Sequence, residues 1–228
     1  MKKKITKKKK IYNKYNFKKL YNLIDSINIL KKINLLNFNP SLNLSINLNN
    51  KSKIIYNFKK ILILPFSNGK RLKILALVND DIKEKIKKLG ADYVGGIEYI
   101  NKIEEEKWLK FDIIITNKYY MEKLLKLGKL LSSKNLMPSY ENGNIIENTE
   151  IEKTIKYIID SRRIIITPDK YNIIHLVIGK ISFKSLEIIE NIKYIIKEIK
   201  KIKYNNKNIL LKDIYLNFTM GPSLKIKI

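Results

Sequence analysis

The spacing of apolar residues changes along the chain, and this change constrains the fold more than any other feature. In the segment 42–48, leucine and isoleucine alternate with asparagine and serine, which is the period of a strand with one buried and one polar face. The segment Ile74–Val78 is apolar at every position, which is typical of a strand covered on both faces. One uniform sheet cannot satisfy both patterns, so we expect two structural regions.

The middle of the chain alternates short apolar segments with segments of helical spacing. Ile74–Val78 is followed by a helix that starts at Asp80 and stops at Gly90. The alternation continues through a strand at Tyr93–Val94, a helix near Ile97–Ile103, a strand at Phe111–Ile115, and helices at Tyr120–Leu127 and Ile151–Ile159. This rhythm predicts a Rossmann-like parallel sheet covered by helices.

The segments on either side predict a different domain. They comprise a helical segment at Phe17–Ile33, strands at 42–48 and Ile61–Leu64, a helix at Ser185–Lys201 and a strand at Ile209–Phe218. Arg162–Ile166 and Ile173–Ile178 flank the turn residues Pro168–Asn172, and we expect them to form a hairpin. Together these outer segments would make one α+β domain.

We therefore predict an α/β protein in which an α+β domain, built from both termini, is interrupted by a three-layer Rossmann-like domain. The first domain would comprise residues 1–68 and 160–228, and the inserted domain residues 69–159. The chain would cross between the two domains near Pro65–Lys70 and again near Asp160–Ser161.

The charge of the chain indicates an anionic partner. Its 228 residues include 47 Lys plus Arg against 21 Asp plus Glu, a formal net charge of +26. Nucleic acid is the first candidate, because counterion release from phosphates makes such binding strong. An anionic membrane surface is the second, although no apolar run approaches the roughly 18–20 residues that span a bilayer. We interpret the lysine-rich segment Met1–Lys10 as an arm that lies on RNA; a solvated terminus is the alternative.

Residue content excludes several catalytic and metal sites. The chain has no cysteine and a single histidine, His175, so neither a thiolate metal site nor a histidine cluster can form. Arg71 follows Gly69–Lys70 where a Walker A loop has Ser or Thr, and Gly95–Gly96 lacks the remaining glycine of a dinucleotide fingerprint. We expect no cofactor, no metal and no enzymatic activity.

Two turns are candidates for contact with nucleic acid. In Thr219–Pro222, a glycine would let phosphate or ribose approach the backbone, and the threonine hydroxyl can bond a ribose 2′-hydroxyl. Gly179–Lys180 ends another strand and offers a cation. Ordinary turns remain the alternative for both. We interpret Phe38 as a core residue that could instead stack on a base at a strand edge, and His175 as a packed or hydrogen-bonded histidine.

Several segments, in order and spacing, resemble the bacterial ribosomal protein L1 family. Gly90–Gly96 reads GADYVGG, as in that family, and Asn135–Gly143 resembles its GLMPxPxxGT loop. The segment His175–Phe183 and the residues after it are similar to the family's HxxIGKxSF segment, and Thr219–Pro222 matches its TMGP. The resemblance extends over nearly the whole chain.

This resemblance implies a fold, a partner and a set of contact residues. The second domain is inserted into the first through a double hinge, formed here by Ser67, Gly69, Lys70, Asp160 and Ser161. The partner is a helical junction of large-subunit ribosomal RNA, contacted by Phe38, Ser41, Asn43, Lys180, Ser182, Asn217, Thr219, Met220 and Gly221.

The sequence departs from the family pattern in places that affect these contacts. The family has an acidic residue where Asn43 stands and a threonine where Ser41 stands, so one acceptor for RNA donors is lost. Phe66–Lys70 replaces an HGxGK-like hinge, and Ser132–Asn135 replaces a GPRG-like stretch. We expect a thinner set of RNA contacts and an altered loop in the inserted domain.

The resemblance also implies a place of action. Members of the family form the mobile stalk beside the exit (E) site of the large ribosomal subunit, as monomers that assist release of deacylated tRNA. A second implied function is repression of the protein's own mRNA through a mimic of the ribosomal RNA site. A start that coincides with that of bacterial members favours synthesis in the compartment where the ribosome works. That compartment is either the cytoplasm of a bacterium with a reduced genome or an organelle that encodes the protein itself, and the abundance of residues with AT-rich codons fits both.

Overall fold

The computed structural model describes residues 15–17, 19–49, 56–204 and 207–227, and their contacts divide the chain into two units. Unit 1 comprises Met1–Phe58, Leu64–Gly69 and Ile166–Ile228, and unit 2 comprises Lys59–Ile63 and Lys70–Ile165. The lysine-rich segment Met1–Lys10, which we expect to lie on RNA, is outside the described residues.

The bounds of the strands and helices follow the sequence pattern closely in the middle of the chain. In chain order the strands are β1 (Leu20–Tyr21), β2 (Ser41–Leu48), β3 (Lys60–Ile63), β4 (Ile74–Leu77), β5 (Tyr93–Gly95), β6 (Ile113–Thr116), β7 (Arg163–Ile166), β8 (Ile173–Lys180), β9 (Lys203–Tyr204), β10 (Lys207–Asn208), β11 (Leu211–Phe218) and β12 (Leu224–Ile226). The helices are α1 (Leu23–Ile33), α2 (Asp80–Leu89), α3 (Ile97–Glu106), α4 (Lys118–Leu124), α5 (Gly128–Ser133), α6 (Asn148–Ile159) and α7 (Ser185–Lys200), with a 3₁₀ turn at Leu125–Leu127.

Unit 1 is built on a five-stranded sheet with the order β1-β12-β11-β2-β8. β1 runs parallel to β12, and every other pair of neighbours is antiparallel. The alternation in β2 is explained by this sheet, because Leu42, Leu44 and Ile46 are fully buried while the polar residues between them are only partly covered. Helices α1 and α7 supply the rest of the core through apolar residues at helical spacing, namely Ile27, Leu30, Ile33, Ile188, Ile192, Ile195 and Ile199.

Unit 2 contains a parallel three-stranded sheet with the order β5-β4-β6. Every residue of the central strand β4 is fully buried. Leu75 and Leu77 pack in a cluster with residues of α3 and α4, whereas Ile74 and Ala76 pack in a second cluster with residues of α2 and α6. The two clusters lie on opposite faces of the sheet, so the sheet is the middle of three layers. The α/β class predicted from the sequence is confirmed.

Two local predictions in the outer segments are wrong. Arg163–Ile166 does not form a hairpin with Ile173–Lys180, because β7 pairs with β3 in a separate two-stranded sheet. The turn between them is nevertheless present, with an isolated bridge from Pro168 to Ile174 and Asn172 at φ 61°. The helix expected from Phe17 begins only at Leu23, since Leu20–Tyr21 form an edge strand beside β12.

The bounds of the units also differ from the expected domains. The contacts assign Lys59–Ile63 to unit 2, and the last boundary lies between Ile165 and Ile166 rather than at Asp160–Ser161. Both shifts have one cause, because β3 and β7 pair with each other and this pairing holds them in the same unit.

Candidate nucleic-acid interface

The end of the unit 1 sheet at Ser41 brings together segments that are far apart in the sequence. Ser41 pairs with Lys180 of β8. Its carbonyl oxygen accepts a hydrogen bond from the Thr219 backbone N–H at 3.0 Å. The Thr219 hydroxyl lies 3.4 Å from the same oxygen, and the residue is exposed. Three of the predicted contact residues therefore meet at one end of three adjacent strands.

A side-chain pair that the sequence analysis missed extends this end of the sheet. Asn39 donates from Nδ2 to the Ser182 hydroxyl oxygen at 2.7 Å, and its Oδ1 accepts from the Ser182 backbone N–H at 3.3 Å. The pair fixes the loop before β2 against the loop after β8. Phe38 precedes it and is 52% exposed, so the interpretation of Phe38 as a core residue is wrong and its ring is available at the edge.

The face of the sheet away from α1 and α7 carries hydroxyl and amide side chains. Asn43 of β2 pairs with Asn217 of β11, and Ser45 pairs with Tyr215. The Oδ1 atom of Asn217 is buried and has no hydrogen-bond partner among the described residues. A buried acceptor without a donor costs free energy. Among the described residues this atom is therefore an acceptor without a donor, in the residue that pairs with Asn43.

His175 lies on the same face and is the hydrogen-bonded histidine that the sequence analysis considered. Its Nδ1 atom lies 3.0 Å from the Ser45 hydroxyl oxygen, and 62% of its side chain is exposed. On β12, Lys225 forms an ion pair with Asp213 at 2.6 Å, and the carboxylate raises the pKa of Lys225 through this hydrogen bond. Tyr215, Asp213 and Lys225 were not among the predicted contacts, because their place beside Asn217 depends on strand register.

A β-bulge positions Lys180. The β2–β8 register shifts between Leu42, which pairs with Gly179, and Asn43, which pairs with Val177. A bulge bends the strand and changes the direction of the residues after it. Gly179 is buried, and a Cβ there would meet the Phe183 ring at 3.3 Å. The glycine therefore accommodates packing, and the bulge brings Lys180 opposite Ser41.

The turn after β11 has a packing requirement of its own. The Gly221 N–H donates to the Phe218 carbonyl oxygen at 2.7 Å, and a Cβ at Gly221 would lie 2.5 Å from the ring of Phe218. Phe218 is buried, so this glycine is needed whether or not a ligand is present. The backbone of Met220 has φ 62°, a region that residues other than glycine seldom adopt. Met220 is also 72% exposed. The turn thus presents an apolar thioether to solvent.

The structure gives hydrogen bonds, backbone angles and burial for the residues expected to form the hinge and for their neighbours. Gly69 has φ 72°, and its N–H donates to the Ser67 hydroxyl at 3.1 Å. The backbone of Phe66 both donates to and accepts from the amide of Asn191, a buried residue of α7. Lys70 is the first residue of the second segment of unit 2. Asp160 and Ser161 follow α6 within unit 2, where Ser161 is buried at φ 53°.

In unit 2, Gly95 and Gly96 have a structural explanation. A Cβ at Gly95 would lie 2.4 Å from the Tyr99 side chain, and one at Gly96 would lie 3.0 Å from the Tyr120 hydroxyl. Nearby, Lys83 bonds to Asp80 at 2.6 Å and to Glu98 at 3.1 Å, and these bonds raise the pKa of Lys83. Backbone N–H groups, of Glu98 itself and then of Gly96, hold the pKa of the Glu98 carboxyl below its ordinary value.

In the described part of the chain, no three His, Asp or Glu side chains come together in a group that could hold a metal ion. No helix in the same residues is both long and apolar enough to cross a membrane.

An α+β unit interrupted by a parallel α/β unit, in a chain of net charge +26, defines a class: a basic, two-unit α/β protein suited to an anionic partner. The sequence profile of the Ribosomal protein L1p/L10e family matches residues 29–222, and the chain belongs to this family. The resemblance drawn from the motifs is confirmed. Membership also makes the chain a structural protein of translation and not an enzyme.

Individual relatives agree with the family match. The large ribosomal subunit protein uL1 of Mesoplasma florum is 37% identical over 190 residues, covering 82% of this chain and 82% of the relative. The protein of the same name from Mycoplasma mycoides is 36% identical over 189 residues, again with 82% of each chain covered. That of Persephonella marina is 33% identical over 169 residues, covering 73% of this chain and 68% of the relative.

Proposed function

We propose that this protein is a constituent of the large ribosomal subunit and binds the ribosomal RNA of that subunit through the Ser41 end of the unit 1 sheet. One observation carries the proposal: Ser41, Lys180 and Thr219 lie together although long stretches of sequence separate them. Two relatives from bacteria with small genomes are named as large-subunit proteins, which supports both the partner and a cytoplasmic ribosome as the location.

Each group at this end of the sheet has a use in RNA recognition. Lys180 supplies a cation for phosphate, and the exposed ring of Phe38 offers a surface on which a base can stack. The exposed Thr219 hydroxyl can bond a ribose 2′-hydroxyl, the group that distinguishes RNA from DNA. Asn217, on the adjoining strand β11, is a further proposed contact. Ser41, Asn43, Ser182, Met220 and Gly221 complete the proposed contact surface.

We further propose that the RNA is the junction of the stalk beside the E site, and that the protein assists release of deacylated tRNA there. The family to which the chain belongs supports this step. The same surface would bind the protein's own mRNA if the transcript folded into a similar junction, and translational repression would follow.

Competition at raised salt tests the proposal. A stalk-junction RNA and a generic duplex of equal length would be titrated with the full chain at two salt concentrations. Nonspecific attraction falls steeply with salt, whereas contacts to ribose and base edges do not. We expect the preference for the junction to grow as salt is raised. Loss of the preference would contradict the proposed surface.

A further inference from the structure

Unit 2 has a crevice that the proposed RNA surface of unit 1 does not use. It lies at the carboxyl ends of the parallel neighbours β4 and β6. The helix after β4, α2, packs on one face of the sheet, and the helix after β6, α4, packs on the other. The chain therefore leaves adjacent strands in opposite directions, and open α/β sheets bind ligands in the crevice at such a point.

The crevice has a volume of about 510 Å³, within the range of small-molecule sites. The first residue beyond β6, Asn117, and the second beyond β4, Asn79, line it, together with Lys118 and two tyrosines, Tyr119 and Tyr140. Asn79 precedes α2, but its side chain makes no capping hydrogen bond to that helix. The Asn117 Oδ1 atom already accepts from the Tyr120 N–H at 3.1 Å. The lining thus combines flat aromatic surfaces with the amide of Asn79, which carries both a donor and an acceptor.

Both tyrosines are exposed and are fixed in position by their surroundings. Tyr119 is 56% exposed; its ring packs edge-on against Tyr120 at 5.1 Å, and Lys123 Nζ lies 2.7 Å from its hydroxyl. Tyr140 is 66% exposed and belongs to a turn closed by a 2.8 Å bond from the Gly143 N–H to its carbonyl oxygen.

The buried side chain of Arg163 stabilises the turn that contains Tyr140. Arg163 Nη2 donates to the carbonyl oxygens of Asn142 and Gly143, the second at 2.8 Å, and to Asn144 Oδ1 at 3.1 Å. Burial lowers the pKa of Arg163 to about 10. These bonds hold the backbone of the turn, and so the point from which the Tyr140 side chain extends, before any ligand arrives.

The surroundings favour a base over a phosphate. Glu147 lines the crevice, and Asp80 and Asp81 occupy the first turn of α2. These three carboxylates outnumber the one cation among the described lining residues, Lys118, and oppose an incoming phosphate. Gly95 accommodates the Tyr99 ring, so it does not serve as a phosphate-binding glycine. A nucleobase, in contrast, offers an uncharged π face to the tyrosines and a hydrogen-bonding edge to Asn79.

We propose that the unit 2 crevice binds an unpaired base of RNA, held against Tyr119 and Tyr140 and bonded at its edge by Asn79. The inference rests on the proposed function only in taking RNA as the source of the base. A free nucleoside has the same chemistry, so the experiment separates the two sources.

The first arm of the test uses adenosine, which carries no phosphate and therefore escapes the attraction of the net charge. Adenosine would be titrated into isotope-labelled full-length protein and followed by amide chemical shifts. We expect shifts confined to the segments 79–81, 117–120 and 139–147. Tyr140→Ala should weaken adenosine binding on the order of ten-fold, the scale of one base–aromatic stack, and Tyr140→Phe should restore it.

A matched control is Tyr171→Ala, which removes another exposed tyrosine, 70% exposed, in unit 1. We expect it to leave adenosine binding unchanged. The second arm uses a short single-stranded RNA with one photoreactive 4-thiouridine. Crosslinks at Tyr119 or Tyr140 would identify RNA as the source, whereas adenosine binding without such crosslinks would overturn RNA as the occupant.

Two outcomes overturn the site itself: adenosine that shifts no resonance in the three segments, or equal effects of Tyr140→Ala and Tyr171→Ala. The result is separable from the RNA surface of unit 1. Thr219→Val should weaken binding of the stalk-junction RNA and leave the adenosine shifts unchanged. If Thr219→Val does not weaken binding of the stalk-junction RNA but adenosine still binds, the proposed RNA surface of unit 1 fails and the proposed base-binding site in the crevice stands.

Discussion

The sheets of the two units differ in how many of their faces are covered by helices. In unit 1, helices cover one face, and alternate positions of β2 and β11 face away from the core. In unit 2, helices cover both faces, and all four residues of β4 are fully buried. A sheet covered on one face can carry polar ligand-binding residues along its strands. A sheet covered on both faces can carry them only beyond its strand ends, which is where Asn79 and Asn117 lie.

Alanine substitutions within the strands test this contrast with the largest expected effect. Leu75→Ala should lower the free energy of unfolding of unit 2 by about 2–5 kcal/mol, because the side chain is fully buried. Ser45→Ala should change stability by no more than about 0.5 kcal/mol. Urea unfolding followed by the fluorescence of the single tryptophan, Trp108, which packs against Tyr93 in unit 2, measures the first change.

The matched variant in unit 1 is Leu44→Ala, measured by amide hydrogen exchange in β2. We expect a loss comparable to that of Leu75→Ala, since Leu44 is also fully buried. A similar loss for Ser45→Ala would show that the outer face of the unit 1 sheet is covered, and the contrast between the two sheets would fail.

Two threonine variants, one in each unit, test the contrast between the sheets with a smaller expected effect. Thr219→Val nearly preserves shape, and loss of its hydroxyl should weaken binding of the stalk-junction RNA by about 1–3 kcal/mol, roughly 5- to 150-fold. Thr116→Val in unit 2 removes a buried hydroxyl that donates to the Asn117 carbonyl oxygen at 3.2 Å. It should lower stability and leave binding of the stalk-junction RNA at the unit 1 surface unchanged. Binding titrations and thermal melts of both variants give the comparison.

The salt dependence of binding tests the role of Lys180. Lys180→Ala should lower the slope of log K against log salt by up to about 0.7–0.9, the contribution of one phosphate. The stem of Lys180 lies close to Gly69, so Lys180→Met, which keeps the stem, separates charge from packing. The exposed Lys88 of α2 provides the control, and Lys88→Met should leave the slope unchanged. An unchanged slope for both Lys180 variants would exclude a phosphate contact there.

The smallest expected effect concerns the exposed charges of unit 2. The pKa of Glu98 is lowered from its ordinary 4.5, so its carboxylate stabilises the folded state above that pH. Glu98→Gln should therefore reduce stability at neutral pH by a few tenths of a kcal/mol at most, about the scale of a surface ion pair. The difference should disappear as the pH falls through the lowered pKa. Urea unfolding of both proteins at a series of pH values from 7 downward measures this change, and a difference that stayed the same at every pH would contradict a role for the Glu98 carboxylate.

The sequence was most informative where structure depends on neighbouring residues. The start of α2 at Asp80 follows from the preference of a helix N-terminus for acidic residues, and its end at Gly90, which has φ 97°, follows from the backbone freedom of glycine. The same reasoning found the turn at Pro168–Asn172 but not the partner of β7. That partner, β3, lies about a hundred residues earlier, and turn chemistry carries no information about it.

In the candidate site, too, some features could be predicted from the sequence and others depend on the tertiary structure. The resemblance identified Ser41, Lys180 and Thr219, and the structure brings them together. It could not identify the Asn39–Ser182 bond or the unpaired Asn217 Oδ1 atom, because both depend on how distant loops and strands meet. Gly221 was singled out for ligand approach, whereas the ring of Phe218 beneath it already requires a glycine.

The strand order of unit 1 has a consequence for how the chain folds during synthesis. β2 lies between β8 and β11, so its two partners leave the ribosome more than a hundred residues after it. Unit 2 lies almost entirely in the interval, and its sheet can form from neighbouring segments of sequence. We expect unit 2 to fold first, while the alternating apolar residues of β2 stay unpaired and open to wrong contacts. The proposed RNA-binding surface, which depends on β11, is therefore among the last parts of the protein to form.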